Sequence, residues 1–531
     1  MPSKVTTITL EGLAPRPVIV EAKIQRGLPA THLVGLPDAA VRESIERVRA
    51  ALASCGQAFP RGRLTVSLAP AELKKAGAHF DLVIGLAILA EQGQLPHLSR
   101  QDGFLGQLGL DGSVRSVKGV LPLALGLMRR DVRRVFVSVE DAQLLRNIPG
   151  LEIVQVATFD QVVQMLQTGR VAGAAGSGRP STRPAPSLEQ SHPEATQALG
   201  STQDTTFDEI VGLEHAKRAV TIAAAGGHNM LLVGPPGTGK TMLARCLRSL
   251  LPALSSSQQQ EVNAIWSSAG LLTRWITHPV LRTPHHVSSA ASILGGGAAL
   301  QPGDVSLAHQ GVLFLDELPE FHRDVIEQLR QPIEEGQVRL ARAGSRVEFP
   351  ARFILIAAAN PCPCGYAGDE LRACSCTPSV IERYQRKLSG PLLDRIDLVV
   401  RVPRSSLSHA SIGMPRVPKE HAAATQHVAR ARRRQARRFG NEPGGLEGSP
   451  HKGDRGVNCN ADAPGATARA MVKLDPQARG LLEHAERKLG LSPRGFIRIL
   501  RVARTIADIA DREGVTLDDV TEALQFRHVT L

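Results

Sequence analysis

The sequence predicts an α/β chain in three folded units: a mixed α/β domain over residues 1–168, a parallel α/β core over 206–403 and a small helical unit over 471–531. Three observations carry that expectation. Strand-like apolar runs alternate with helix-period segments in the first two regions, as βαβ units do. Residues 169–205 turn to Gly, Ala, Ser, Pro and Thr with almost no apolar periodicity, the composition of a solvated linker. Beyond residue 471, three apolar stripes of helical period each follow a capping residue. A chain of 531 residues has room for such cores without disulfides.

In the first region the strand patterns are Val18–Ala22, Leu64–Leu68 and Arg134–Val139; the helical patterns are Asp38–Ala53 and Phe80–Glu91, with a turn at Leu110-Asp111-Gly112. In the core, Met230-Leu231-Leu232-Val233, Val312-Leu313-Phe314-Leu315 and Phe353–Ala359 read as buried strands. Residues 404–470 hold a basic helix and then a loop: Gly440–Gly465 contains seven glycines and three prolines, too little apolar matter to order a backbone. The last three helices open at Asp475-Pro476, Ser492-Pro493 and Thr516.

Charge and composition restrict function. Lys plus Arg number 63 against 50 Asp plus Glu, a net +13 that favours a polyanionic partner. Aromatics make up only 3%, which argues against modules that grip nucleic acid by stacking bases. The N-terminus carries no apolar signal region and no run of 18 apolar residues occurs, so a cytoplasmic location is expected, with no membrane contact.

Gly234-Pro235-Pro236-Gly237-Thr238-Gly239-Lys240-Thr241 follows the strand at 230–233 and opens a helix. In that setting glycines let backbone N–H groups face phosphates, Lys240 reaches the β and γ oxygens, and Thr241 ligates Mg²⁺. ATP with Mg²⁺ is therefore the expected ligand. The strand ending in Asp316-Glu317 supplies a second magnesium contact and a carboxylate to polarise the attacking water, a group that binding alone does not need. Asn360, ending another strand, is placed to orient that water or to sense the γ-phosphate.

These segments, with Thr283-Pro284-His285-His286, Leu315–Phe321, Asn360–Gly365, Gly390–Asp397 and Arg501–Asp508, resemble the YifB/ComM family of Mg-chelatase-like AAA+ ATPases along almost the whole chain. The resemblance implies an AAA+ core with a C-terminal helical lid. It makes Glu317 the Walker B glutamate, Asn360 the sensor-1 residue, Arg395 a finger pointing into a neighbouring subunit's site and Arg494 the sensor-2 arginine. It further implies a homo-hexameric ring with helicase and branch-migration activity on DNA, in homologous recombination and natural transformation. Two other readings fit the sequence: a magnesium-chelatase-type motor subunit acting through protein partners, and a nucleotide-gated regulator that is no motor.

Cys362-x-Cys364 and Cys374-x-Cys376 place four thiolates within fifteen residues, a set that closes tetrahedrally on structural Zn²⁺; free or redox-active thiols are the alternative. Residues 338–349 form a hairpin pattern, which the resemblance makes a pore insertion with Arg342 and Arg346 near its tip. A second insertion spans Pro284–Gly303, and His285 and His286 are expected to be structural loop residues. Arg430, Arg432, Arg433, Arg434, Arg437 and Arg438 put six charges in nine residues, further candidates for DNA phosphates beside a plain solvated helix.

The first domain resembles the ChlI-type domain, whose fold is similar to the Lon protease domain. In Lys75–Asp81 no serine stands where that pattern places its nucleophile; Leu121 occupies the lysine position, and Lys118 lies three residues early. A scaffold or a DNA-contacting collar is expected rather than a peptidase.

Overall fold

The computed structural model describes residues 3–96, 98–168, 205–297, 299–342, 345–388, 390–404, 419–440 and 457–527. Residues 169–204 of the expected linker, 441–456 of the expected loop and the hairpin tip Ala343-Gly344 lie outside the described residues, whereas residues 457–465, expected to belong to that loop, are ordered, with Cys459, Asn460 and Ala463 buried.

The first domain is a four-stranded sheet of order β1-β2-β4-β3 built from β1 (Ser3–Glu11), β2 (Ala14–Gln25), β3 (Ala30–Val34) and β4 (Arg63–Ala69). On β2, Val18, Val20 and Ala22 are buried while Ile19 faces out, the period-two alternation of a half-covered sheet. Helix α1 (Ala39–Ser54) starts where Asp38 accepts a hydrogen bond from the Val41 N–H, and α2 (Phe80–Glu91) is buried from Phe80 through Leu89. Strands β5 (Asp102–Phe104), β6 (Arg134–Ser138) and β7 (Glu152–Val156) pair in parallel, and α3 (Val120–Met128) lies between β5 and β6 in the chain.

The second domain enters through α4 (Glu214–Gly226), β8 (Met230–Val233), α5 (Lys240–Leu250) and α6 (Ser256–Ala269). Next come β9 (Leu281–Arg282), α7 (Ala290–Leu294), the short pair β10 (Gly295–Gly296) and β11 (Gln301–Pro302), and β12 (Val312–Leu315). The hairpin β13 (Gln337–Arg342) and β14 (Ser345–Pro350) precedes β15 (Ile354–Ala359) and β16 (Leu398–Arg401). The main sheet runs β9-β12-β15-β8-β16, and every pairing in it is parallel. Its middle strands β12, β15 and β8 are buried at every residue, which is why they read as unbroken apolar runs. No helix among the described residues is long and apolar enough to cross a membrane.

Helix α8 (Glu420–Phe439) carries the arginine run, and α9 (Pro476–Leu489), α10 (Pro493–Ile509) and α11 (Leu517–Gln525) form the lid. The three lid helices begin at the caps their sequence announces: Asp475 accepts from Ala478 N–H at 2.6 Å, Ser492 from Gly495 N–H at 3.1 Å, and Thr516 closes a capping box with Asp519.

The arginine run departs from expectation. Arg430, Arg432, Arg434 and Arg438 are spent inside the protein. Arg432 donates twice to the Ala224 carbonyl at the end of α4, at 3.0 and 2.8 Å, and Arg430 donates to the Ile509 carbonyl at the end of α10. Arg438 forks onto the buried Asp508 at 2.6 and 2.9 Å, and Arg434 bonds Asp511. Helix C-termini leave carbonyls unpaired, and Arg430 and Arg432 satisfy two of them. Arg430, Arg432, Arg434 and Arg438 therefore hold α8 against the core and lid instead of meeting phosphates. Arg433 and Arg437, one turn apart, are the exposed pair.

This division predicts that Arg438→Ala lowers unfolding stability by about 3 kcal/mol, because it strips a partner from a buried carboxylate. Arg433→Ala should change it by less than ~0.5 kcal/mol. Urea unfolding followed by circular dichroism reads both; equal effects would reject the division.

Candidate nucleotide and metal sites

All strands of a parallel sheet end on one edge, and that edge gathers the expected phosphate chemistry. Strand β8 leads into Gly234–Gly239, and α5 begins at Lys240. Gly239 takes a φ of 85°, a left-handed backbone that suits glycine. Gly234 has no room for a side chain, since a Cβ there would lie 2.1 Å from the Val402 carbonyl. No side chain caps α5, so its first N–H groups face the loop, as an anion site requires.

Lys240 is buried, and its Nζ donates to the carbonyls of Gly234 at 2.7 Å and Pro235 at 2.8 Å and to Asn360 Oδ1 at 3.3 Å. Burial holds its pKa below the ordinary lysine value, against the opposing pull of Asp316 and Glu317. A phosphate beside it reverses that shift. Thr241 Oγ1 donates to Asp316 Oδ2 at 3.3 Å, so the two expected magnesium contacts already adjoin. The donor set, one hydroxyl and one carboxylate beside a phosphate cradle, suits Mg²⁺. Glu317 follows with a left-handed backbone of φ 52°, its N–H donating to Asp316 Oδ1 at 2.9 Å, and its carboxylate lies 3.4 Å from His286 Nδ1.

Arg395 and Arg494 lie elsewhere. Arg395 precedes β16: its carbonyl accepts from the Asn229 side chain at 3.1 Å, and Asn229 stands immediately before β8. Both guanidiniums pair with Glu334, at 2.6 Å for Arg395 and 3.8 Å for Arg494, and line one cavity of about 610 Å³. That cavity opens at the starting edge of the sheet, a strand length of about 13 Å from the phosphate loop. Arg498 and Arg501 share its wall; burial pushes Arg498 down to about 10 despite Asp397 3.5 Å away. Sequence reasoning passed over Arg498, although it sits one turn after Arg494 on the same helix face.

The cysteine cluster lies against the phosphate loop. A Cβ added to Gly365 would be 2.7 Å from Pro236 Cδ. The Sγ atoms of Cys362, Cys364 and Cys374 are 3.3–3.6 Å apart, and with Cys376 all four fall within 4.8 Å of one another. Thiolates around zinc at ~2.3 Å sit ~3.8 Å apart, so the set fits a tetrahedral ion. Backbone N–H groups of Ala367 and Cys376 point at Cys362 and Cys374 sulfurs, at 3.3 and 3.4 Å. Those of Tyr366 and Ser375 hold the Cys364 thiol at about 5.

Three family profiles match in sequence: the ChlI subunit of Mg-chelatase over residues 20–141, the magnesium chelatase ChlI subunit over 206–410, and its C-terminal part over 419–527. The protein YifB of Escherichia coli is 38% identical across 98% of this chain and 95% of its own length. The competence protein ComM of Haemophilus influenzae is 37% identical across 96% and 94%. The chain belongs to the YifB/ComM family of magnesium-chelatase-like AAA+ proteins. By contrast, the magnesium-chelatase 38 kDa subunit of Cereibacter sphaeroides is 28% identical over only 29% of this chain. A YifB/ComM protein accordingly has a nucleotide and Mg²⁺ as the ligands of its phosphate loop.

The geometry separates binding from turnover. Lys240→Ala should weaken nucleotide binding by about 100-fold or more, the loss of a buried charge partner. Glu317→Gln should keep binding within ~3-fold and cut phosphate release by about 10²–10⁴. Fluorescent-nucleotide titration and a phosphate-release assay measure the two effects; strong residual turnover in Glu317→Gln would remove that residue from the chemistry.

Proposed function

We propose that the protein is a cytoplasmic, ATP-driven homo-hexameric motor that moves along DNA and promotes branch migration, a ComM-like helicase of homologous recombination and natural transformation. The observation that carries the reading is the placement of Arg395 and Arg494 on the sheet edge opposite Lys240. γ-Phosphate transfer spreads charge that guanidinium groups stabilise, and this chain's two candidates face away from its own cradle. A second copy, presenting its starting edge to the first copy's phosphate loop, supplies them. Repeating that heterologous contact closes a ring.

Within the shared site, Lys240 and the N–H groups opening α5 bind and orient the phosphates. Thr241 and Asp316 would hold Mg²⁺, which would supply charge neutralisation to the phosphates. Glu317 takes a proton from the attacking water, and Asn360, beside Lys240, orients it. Two neighbouring insertions carry the movement: Arg342 on β13 donates to the Gly297 carbonyl in the β10–β11 turn at 3.3 Å. Arg342 and Arg346 are exposed there and suit a phosphate backbone, as do Arg433 and Arg437 on α8. DNA as the polymer draws support from the net +13 charge and from similarity to a competence protein.

The shared site is tested by mixing two inert variants. Lys240→Ala and Arg395→Ala should each lack ATP turnover and branch migration on four-way DNA. Randomly mixed rings regain intact sites at about a quarter of positions, so turnover should reappear. A mixture as inert as its parts would reject the shared site.

We further assign the cysteine cluster a structural Zn²⁺ held by Cys362, Cys364, Cys374 and Cys376. Elemental analysis should find about one zinc per chain, and Cys364→Ser should lose it and unfold at a lower temperature. Metal content near zero in chelator-free preparations would favour free thiols.

A further inference from the structure

The lid gathers positive charge around a cleft that the motor chemistry does not use. Arg434, Arg437 and Arg438 of α8, Lys473, and Arg504 of α10 line a cavity of about 430 Å³. Lys473 opens the short strand β17 (Lys473–Leu474), which pairs in parallel with β18 (Gly514–Val515) just beyond the end of α10. The cleft therefore sits where three segments distant in sequence meet: α8, the approach to the α9 cap, and the end of α10 with the turn after it.

Charge in the cleft is not balanced by its carboxylates. Asp508 is fully buried and is shared by three guanidiniums, Arg438 at 2.6 Å, Arg504 at 2.9 Å and Arg434 at 3.6 Å. Asp511 takes Arg434 as well, at 2.5 Å. Glu513 stands 4.0 Å from Lys473 with 83% of its side chain exposed, where water screens it. Arg504 forms the floor of the cleft. It is 1% exposed and donates to the carbonyls of Arg512 and Glu513, while its Nε has no acceptor among the described residues. Burial above all, and then the neighbouring Arg438 and Arg434, hold its pKa below the ordinary arginine value against the pull of Asp508. The hydrogen bonds of Arg434 and Arg438 are spent on the protein, but one buried carboxylate does not cancel three guanidiniums. Low-dielectric walls focus the surplus on the cleft.

Such a cleft suits a compact anion of high charge. Guanidinium and ammonium donors match phosphate oxygens, and the apolar wall is Met471, which offers no ring face on which a base could stack. A phosphodiester of a duplex stays on the surface of a stiff rod, whereas a free anion reaches a buried floor. We propose that this cleft binds a free phosphate anion of the orthophosphate and pyrophosphate class. Arg434, Arg438 and Arg504 draw the anion in by their charge, and Lys473 and Arg437, both exposed, close over it. Bound there, it joins α8 to the lid and braces the lid from outside the phosphate loop. A phosphate ending a polynucleotide carries the same chemistry, and the test separates the two sources.

That test is calorimetric titration of pyrophosphate, without magnesium and at fixed ionic strength, into full-length Lys240→Ala protein, whose phosphate loop is disabled. One saturable site per chain is expected, with a rise in unfolding temperature that sodium chloride does not reproduce. Lys473→Glu and Arg437→Gln, introduced into the same protein, change exposed side chains and leave the core intact. Each should weaken pyrophosphate about 10-fold or more, and Lys473→Arg should stay within ~3-fold of the parent. Heat that does not saturate, or one affinity shared by the parent, Lys473→Glu and Arg437→Gln, overturns the site. Displacement of pyrophosphate by an oligonucleotide with a 5′-phosphate, and not by its 5′-hydroxyl twin, supports the site and makes a polymer end its source. Displacement by neither supports the free anion. Equal displacement by both puts backbone phosphates in the cleft and overturns the free-anion site.

Discussion

Strand direction in one buried sheet governs the chemistry of this molecule. Because β8, β12 and β15 run parallel and are buried throughout, their ends must all lie along one edge. Lys240, Asp316, Glu317 and Asn360 follow strand ends and are brought together without further design. Arg395 precedes a strand, so the same rule sends it to the other edge, where the lid helix α10 delivers Arg494 beside it. No side-chain rearrangement within one chain spans that separation, since an arginine reaches about half the length of a four-residue strand. Under the proposed function, a second copy would have to supply those guanidiniums to this phosphate loop.

A continuous polar chain ties the arginine edge to the lid. Asp397, two residues after Arg395, meets His228 at 3.3 Å, and His228 Nε2 meets Thr505 Oγ1 of α10 at 2.8 Å. Asn460 donates to Thr505 at 3.0 Å and to Asp508 at 2.9 Å, and Asp508 takes the fork from Arg438 on α8. Every donor in this chain meets an acceptor in a buried setting, so its parts are expensive to separate. The polar chain therefore ties the lid, the arginine-bearing edge and α8 together.

Features legible in the sequence are those written within one or two turns of chain. The phosphate loop, the acidic pair after an apolar strand and the caps at Asp475, Ser492 and Thr516 all depend on residues within about eight positions of each other. The arginine run is legible as charge but not as contact. Six arginines in nine residues of helix point to several faces, and their destinations are set by Ala224, Ile509 and Asp508, far away in sequence. His286 was hidden for the same reason: Glu317 is thirty-one residues downstream, and a Pro-His-His loop gives no local sign of its partner. The sharing of Glu334 by Arg395 and Arg494 required knowing how the lid folds back.

The first domain carries the same logic to a segment devoted to packing. His79 lies in the serine-free segment Lys75–Asp81; burial pushes its imidazole down to about 4, and its Nε2–H donates to the Ile8 carbonyl at 2.8 Å. Leu121 is fully buried in α3, and Lys118 packs its aliphatic stem over Gly270. Nucleophilic catalysis needs an exposed group beside a base, and each of these positions serves packing instead. The packing has a direction. Gly119 and Leu121 donate from the start of α3 to Ser267 on α6, at 2.9 and 3.3 Å, and Ala264 of α6 is buried in the α3 core. Gly12 at the β1–β2 turn meets Val347 of β14. This edge is a mount, fixing the domain to α6 and to the base of the hairpin.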